Sequence, residues 1–243
     1  MQLKDASPEA RALAGLAADL FDFGLLGLLC FAFVNVYAPP QDLPWKPLKL
    51  DQPLGLATTT QLERTVAAPT QCMDFLEREG IAFAPVPDRI EGGFCTVVGA
   101  GLAGNEPMRL SPASPLLTCR MTAALALWTE QSVGPAARQL LGSEVVQVDH
   151  YGAYSCRRIY GQTEGRVSEH AHAEAFDIAG FRLADGRRVE VLKDWNGTGP
   201  EAAFLRRVRD DGCRLFRVVL SPEYNAAHAN HLHFDMSSYR LCR

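Results

Sequence analysis

The stretch Ala175-Phe176-Asp177-Ile178-Ala179-Gly180-Phe181-Arg182-Leu183-Ala184-Asp185-Gly186-Arg187-Arg188-Val189-Glu190-Val191-Leu192 decides the fold. Two β-rich runs flank Ala184-Asp185-Gly186, and an Asp-Gly step between such runs is a hairpin signal. Upstream, residues 145–148 form a further strand candidate, and downstream residues 200–208 follow a helical pattern. Residues 231–235 alternate polar with apolar side chains, as a half-buried strand does. Towards the N-terminus, Thr70 can cap a short helix through Cys72, Phe75, Leu76 and Glu79 that Gly80 ends, with short strands at 81–84 and 96–98. Met121, Leu125 and Trp128, then Ala137, Leu140 and Leu141 past a Gly134-Pro135 break, fit two helical pieces. Helices early and strands late, with no regular βα alternation, predict one α+β domain with a largely antiparallel sheet and flanking helices.

Residues 23–38 read FGLLGLLCFAFVNVYA, without a charge. Sixteen residues at helical rise span about 24 Å, slightly short of a hydrocarbon core, and Leu20 and Phe21 extend the run. A cleaved signal peptide has a short basic leader; here about twenty residues precede the run and carry Asp5, Glu9, Asp19 and Asp22 against Lys4 and Arg11. An uncleaved anchor is therefore favoured over a signal peptide, a buried core helix being the third option. The chain divides into a cytoplasmic segment at 1–19, a transmembrane anchor at 20–38, a Pro-rich linker at 39–59 and a domain at 60–243. With Pro39, Pro40, Pro44, Pro47 and Pro53, the linker is expected to be a semi-extended tether reaching roughly 60 Å.

A formal charge of -4 offers no basic surplus for phosphates, so no nucleic-acid partner is expected. Apart from Cys30 in the apolar run, Cys72, Cys95, Cys119, Cys156, Cys213 and Cys242 form an even set without a CxxC pair. Dispersed, even-numbered cysteines suit disulfides in an oxidising compartment better than a cysteine zinc cluster. Three bridges are expected, Cys72 with Cys95 as the local pair. Positive flanks do not orient the anchor, but these cysteines put the domain outside the cytoplasm, hence a single-pass inner-membrane protein with a periplasmic domain.

All six histidines lie at or beyond residue 150. His231, His233 and Asp235 share one face of a strand, with Leu232 and Phe234 on the other. A second knot, Ser168-Glu169-His170-Ala171-His172-Ala173-Glu174-Ala175-Phe176-Asp177, carries two more histidines and an aspartate. Imidazole and carboxylate are zinc ligands, and a catalytic zinc needs only three protein ligands with one position open to water. Trp195 and Phe234 are read as core, and Asp235 as either an orienting partner for a ligating histidine or a strand cap. His150 and His172 have no motif role.

His170 and Asp177 seven residues on, followed by a distant His231-x-His233, resemble the metal signature shared by zinc D-Ala-D-Ala carboxypeptidases, penicillin-insensitive murein endopeptidase and the Hedgehog signalling domain. From about Cys72 to Arg243 the chain more closely resembles the bacterial extensin-like C-terminal domain family. The motifs are Tyr154-Ser155-Cys156-Arg157-Arg158, Ser168-Glu169-His170, Asp177-Ile178-Ala179-Gly180-Phe181, Asp194-Trp195 and His231-Leu232-His233-Phe234-Asp235. The resemblance implies zinc held by His170, Asp177 and His233, with His231 as base or transition-state stabiliser and His228 flanking the substrate. It places Arg157 or Arg158 on the substrate side, where a guanidinium binds a carboxylate or steadies an oxyanion, a solvated surface pair being the plainer reading. Ser168 matches the serine two before the first ligand and is read as substrate-binding. Ala173 stands where many of the peptidases have glycine, and no glutamate stands near the His-x-His strand to serve as base. The function implied is a zinc-dependent peptidase acting on peptidoglycan peptides, or else a non-catalytic zinc-containing wall-binding module of the same fold.

Overall fold

A computed structural model describes residues 7–104 and 109–243; the expectations for Lys4 and Asp5 lie outside them. Helix α1 (Pro8–Tyr37) starts where Ser7 accepts the Ala10 N–H and Pro8 fills the first helical position. None of its apolar stretch is buried, and it is long and apolar enough to cross a membrane.

The domain then runs through α2 (Thr58–Thr65), α3 (Pro69–Arg78), β1 (Phe83–Pro85), β2 (Arg89–Glu91), β3 (Cys95–Val97), β4 (Ala100–Ala103), β5 (Arg109–Ser111), β6 (Leu116–Thr118), α4 (Cys119–Trp128), α5 (Gly134–Leu141), β7 (Val145–Gly152), β8 (Ala175–Leu183), β9 (Arg188–Glu190), α6 (Val191–Asp194), α7 (Pro200–Leu215), β10 (Val218–Leu220), β11 (Leu232–Asp235) and β12 (Leu241–Cys242). The main sheet has the order β12-β10-β11-β8-β7-β5, antiparallel except at its two edges, where β12 and β5 pair in parallel. Strand β8 lies along β7 on one side; its other side is shared by β11 and by β9, its partner in the expected hairpin. Smaller sheets β1-β4-β6 and β2-β3 complete the α+β domain.

One face of the main sheet packs on α4 and α7. Phe234 on β11 meets Trp128 edge-on at 5.1 Å and Phe216 at 4.7 Å. Gly212 of α7 lies so close that a Cβ there would come within 2.8 Å of the Phe234 ring. Both expected core aromatics, Trp195 and Phe234, are buried. Apolar burial behind β11 therefore fixes the strand from which His233 projects.

Several expectations are corrected. Helix α3 begins at Pro69 with no side-chain cap, so Thr70 lies inside its first turn. Gly80, at φ +69°, ends it as expected, letting the buried Ile81 return its N–H to Leu76 O at 2.8 Å. The Gly134-Pro135 step does not break the chain into separate helices. A π turn at Thr129–Val133 carries α4 into α5.

The Pro-rich segment is not extended. Leu43 and Leu48 are buried, and a 3-10 turn covers Pro40–Asp42. Proline removes donors but leaves carbonyls as acceptors, and distant side chains reach them. Gln61 Nε2 donates to Pro40 O and Leu43 O, Arg64 Nη1 to Pro44 O, and Gln131 Nε2 to Leu50 O at 2.5 Å. The leucines between the prolines supply the apolar surface.

The six domain cysteines do form three bridges, but Cys72 pairs with Cys119 and not with Cys95. Cys95 pairs with Cys156, and Cys213 with Cys242. The inner face of α3 packs on α4, which brings Cys72 to Cys119, whereas the β2-β3 hairpin turns Cys95 towards the loop after β7. Cys30 is free and exposed on α1.

Candidate metal centre

Asp177 and His233 are direct cross-strand partners on β8 and β11, so the sheet register brings their side chains together. His170 arrives from a 3-10 turn (Glu169–His172) just before β8, whose start Ser168 caps by accepting the His170 N–H at 3.4 Å. That turn ends at Ala173 with φ 56° and ψ 29°, the left-handed region. Glycine adopts that region without a Cβ clash, so the backbone here would suit glycine better than alanine.

One ligand atom each from His170, Asp177 and His233 lie within 4.8 Å of one another, in a buried to half-buried setting. His170 Nδ1 is 2.6 Å from Ala153 O, a carbonyl that only accepts, so Nδ1 carries the proton and Nε2 presents a lone pair. That Nε2 stands 3.1 Å from Asp177 Oδ2 yet makes no hydrogen bond there and is a buried atom without a partner. His233 lies between carboxylates, Nε2 at 3.0 Å from Asp235 Oδ2 and Nδ1 at 2.8 Å from Asp177 Oδ1. In the metal-free protein the ring donates from Nε2 to Asp235 and from Nδ1 to Asp177, and Nδ1 is the atom a metal would take by displacing its proton. Asp235 also accepts the Ser237 N–H at 2.9 Å, which holds it in place. One imidazole lone pair, a second ring nitrogen whose proton a metal would displace, and a carboxylate thus converge in a set that could hold a cation, and the donors fit zinc.

Charge is tightly balanced in this pocket. Burial would lower His233, but Asp177 and Asp235 outweigh it and push the imidazole up to about 9. Burial would raise Asp177, yet His170 and His233 hold the carboxyl well below the usual carboxylate range. Desolvation, then repulsion from His233 and His231, holds His228 down to about 4. His231 is likewise lowered, by burial first, against an opposing pull from Asp177. Both flanking histidines are therefore neutral at pH 7.

His231 donates from Nδ1 to Asn230 Oδ1 at 2.8 Å, leaving Nε2 as an acceptor 3.6 Å from Asp177 Oδ1. His228 makes the equivalent Nδ1 contact with Asn225 Oδ1 at 2.8 Å, and the two rings lie 5.1 Å apart. A cleft of about 190 Å³ opens over the cluster, lined among others by Arg157, Tyr160, Arg166, Tyr224 and Tyr239. Of the two adjacent arginines, Arg157 faces this cleft, whereas Arg158 donates to Gly165 O and stacks over Phe94 at 4.7 Å. Ser168 lines the cleft while capping the ligand turn. His150, buried and bonded to Pro112 O, and His172, bonded to Thr96, stand apart from the cluster.

The sequence reading missed Asn225 and Asn230, which set the histidine tautomers, and the tyrosines of the cleft wall. Tyr160 adopts φ 56°, strain of the kind that clusters at binding sites, and its hydroxyl accepts from Asn225 Nδ2 at 2.9 Å. Asparagine next to histidine in a polar loop was the only signal available.

Comparison with curated proteins and with solved structures gave no match. Residues 70–243 match the family described as extensin-like protein C-terminus. That span holds the candidate centre, its cleft and all three disulfides, and the chain belongs to this family.

Proposed function

We propose that this protein is a membrane-anchored, zinc-dependent peptidase acting outside the cytoplasm on peptidoglycan stem peptides or their cross-links. The observation that carries the reading is the convergence of His170 Nε2, His233 Nδ1 and Asp177 beside a neutral His231 in an open cleft. The spacing resembles that of zinc D-Ala-D-Ala carboxypeptidases and murein endopeptidase. Zinc bound there would supply Lewis-acid polarisation of the scissile carbonyl and an acidified water. His231 Nε2, unprotonated at neutral pH, takes up a proton at the reacting centre and returns it to the leaving amine. Asn230 keeps that tautomer, and Asp235 orients His233. Arg157 offers its guanidinium to a substrate carboxylate or a developing oxyanion. Three disulfides favour an oxidising compartment, and α1 favours a membrane anchor. The test is digestion of wall sacculi and purified muropeptides by the zinc-loaded full chain, with His231→Ala as control. Released peptides from the wild type alone support the peptidase. Stoichiometric zinc with no cleavage favours a wall-binding module, a reading for which the three cleft tyrosines speak.

A further inference from the structure

Trp45 belongs to the folded segment after α1, yet it packs back on that helix. Its ring lies 5.2 Å from Phe31, and its Nε1–H donates to Asn35 Oδ1 at 3.0 Å. Phe31 precedes the helix end at Tyr37 by six residues, about 9 Å along the axis. The Trp45 ring therefore sits level with the last apolar turns of α1. It cannot swing away freely, because Pro44 O is held by Arg64, Leu43 O by Gln61, and Leu43 and Leu48 are buried.

The surroundings of Trp45 match an interfacial environment. The side-chain ammonium groups of Lys46 and Lys49 make no ion pair or hydrogen bond with the described residues, and the acidic neighbour Asp42 is occupied by the Leu56 N–H at 2.7 Å. Asp51 is the other acidic group of this segment. Leu56, joined to Asp42 by that bond, is 89% exposed, and Trp45 is 43% exposed. Indole with lysine beside an apolar span is the pattern of a membrane-water boundary.

We infer that residues 40–57 form a ledge resting in the phospholipid headgroup layer, with Trp45 and Leu56 entering it and Lys46 and Lys49 facing lipid phosphates. The domain is thereby seated on the bilayer. This rests on α1 spanning the membrane and is independent of the metal chemistry.

The test is tryptophan quenching in the full chain, reconstituted into phosphatidylcholine-phosphatidylglycerol vesicles whose acyl chains are brominated near the headgroup. Trp128 and Trp195 are buried in the domain, so quenching is expected in the wild type and not in Trp45→Phe, with unchanged melting of the domain. Lys46→Glu with Lys49→Glu should reduce the quenching while Trp45 is retained. Equal quenching in wild type and Trp45→Phe overturns the inference, and so does removal of the chain from vesicles by carbonate. Muropeptide digestion is read separately and stands or falls without it.

Discussion

His170 Nε2 faces Asp177 Oδ2 at 3.1 Å with no hydrogen bond joining them. Because Ala153 O takes the other imidazole proton, this contact is favourable only when a cation stands between the partners or Nε2 is protonated out of line.

Removal of ligands should therefore act on metal and fold together. His170→Ala, Asp177→Ala and His233→Ala are each expected to lose zinc by elemental analysis and to melt earlier than the zinc-loaded wild type. Asp235→Asn keeps the ligands but weakens the orientation of His233, and a roughly 10- to 100-fold loss of zinc affinity is expected. Unchanged zinc occupancy in His170→Ala would show that the site is not built as described.

His231→Ala separates chemistry from binding. Its Nε2 is not within the ligand cluster, so zinc and melting temperature should persist while muropeptide cleavage is lost. Zinc release from His231→Ala together with retention in His233→Ala would reverse the two assignments.

The pH dependence follows from His233. Its folded value, raised from 6.5 to about 9, means that the proton stabilises the metal-free protein fully below pH 6.5 and that this contribution fades as pH rises towards 9. The contribution is on the order of 3–4 kcal/mol at most, since each unit is about 1.4 kcal/mol. Zinc competes with that proton, so apparent zinc affinity should rise through the same window. Thermal melts with chelator and with zinc should thus move in opposite directions between pH 6.5 and 9.

Cys72–Cys119 closes a span of 47 residues between α3 and α4. In the chain-entropy model a loop of that size is worth about 4 kcal/mol, so Cys72→Ala with Cys119→Ala should lower the melting temperature strongly. Peptide mapping without reduction checks the pairing itself, and a Cys72–Cys95 peptide would contradict it.

Ala173 should tolerate glycine unusually well. Ala173→Gly loses a buried methyl worth about 0.8 kcal/mol but relieves a left-handed backbone cost of about 1–2 kcal/mol. Ala124 is equally buried but lies within helix α4, where glycine adds roughly 1 kcal/mol of propensity cost. Ala173→Gly should therefore stay within about 1 kcal/mol of wild type, and Ala124→Gly should be clearly less stable in denaturant melts.

The parts legible in the sequence were those with a short physical period. Alternation at 231–235 separated Leu232 and Phe234 from the polar face, and the Asp185-Gly186 turn announced β8 and β9. What was not legible depends on distant partners. Cysteine pairing follows from which helix faces α3, and the fate of the proline segment from Gln61, Arg64 and Gln131, which lie elsewhere in the chain. The convergence of His170 with the β8-β11 pair was reached only through family resemblance, because no local pattern places a turn beside a strand formed about 60 residues later.

The cross-strand pairing of Asp177 with His233 carries a consequence for how the protein matures. A slip of one residue between β8 and β11 would turn His233 to the opposite face and place Leu232 or Phe234 over the cleft. A metal ion could then be captured only after correct alignment of these two strands. A bound ion would act as a latch on the finished sheet, and misaligned chains would be those that never acquire one.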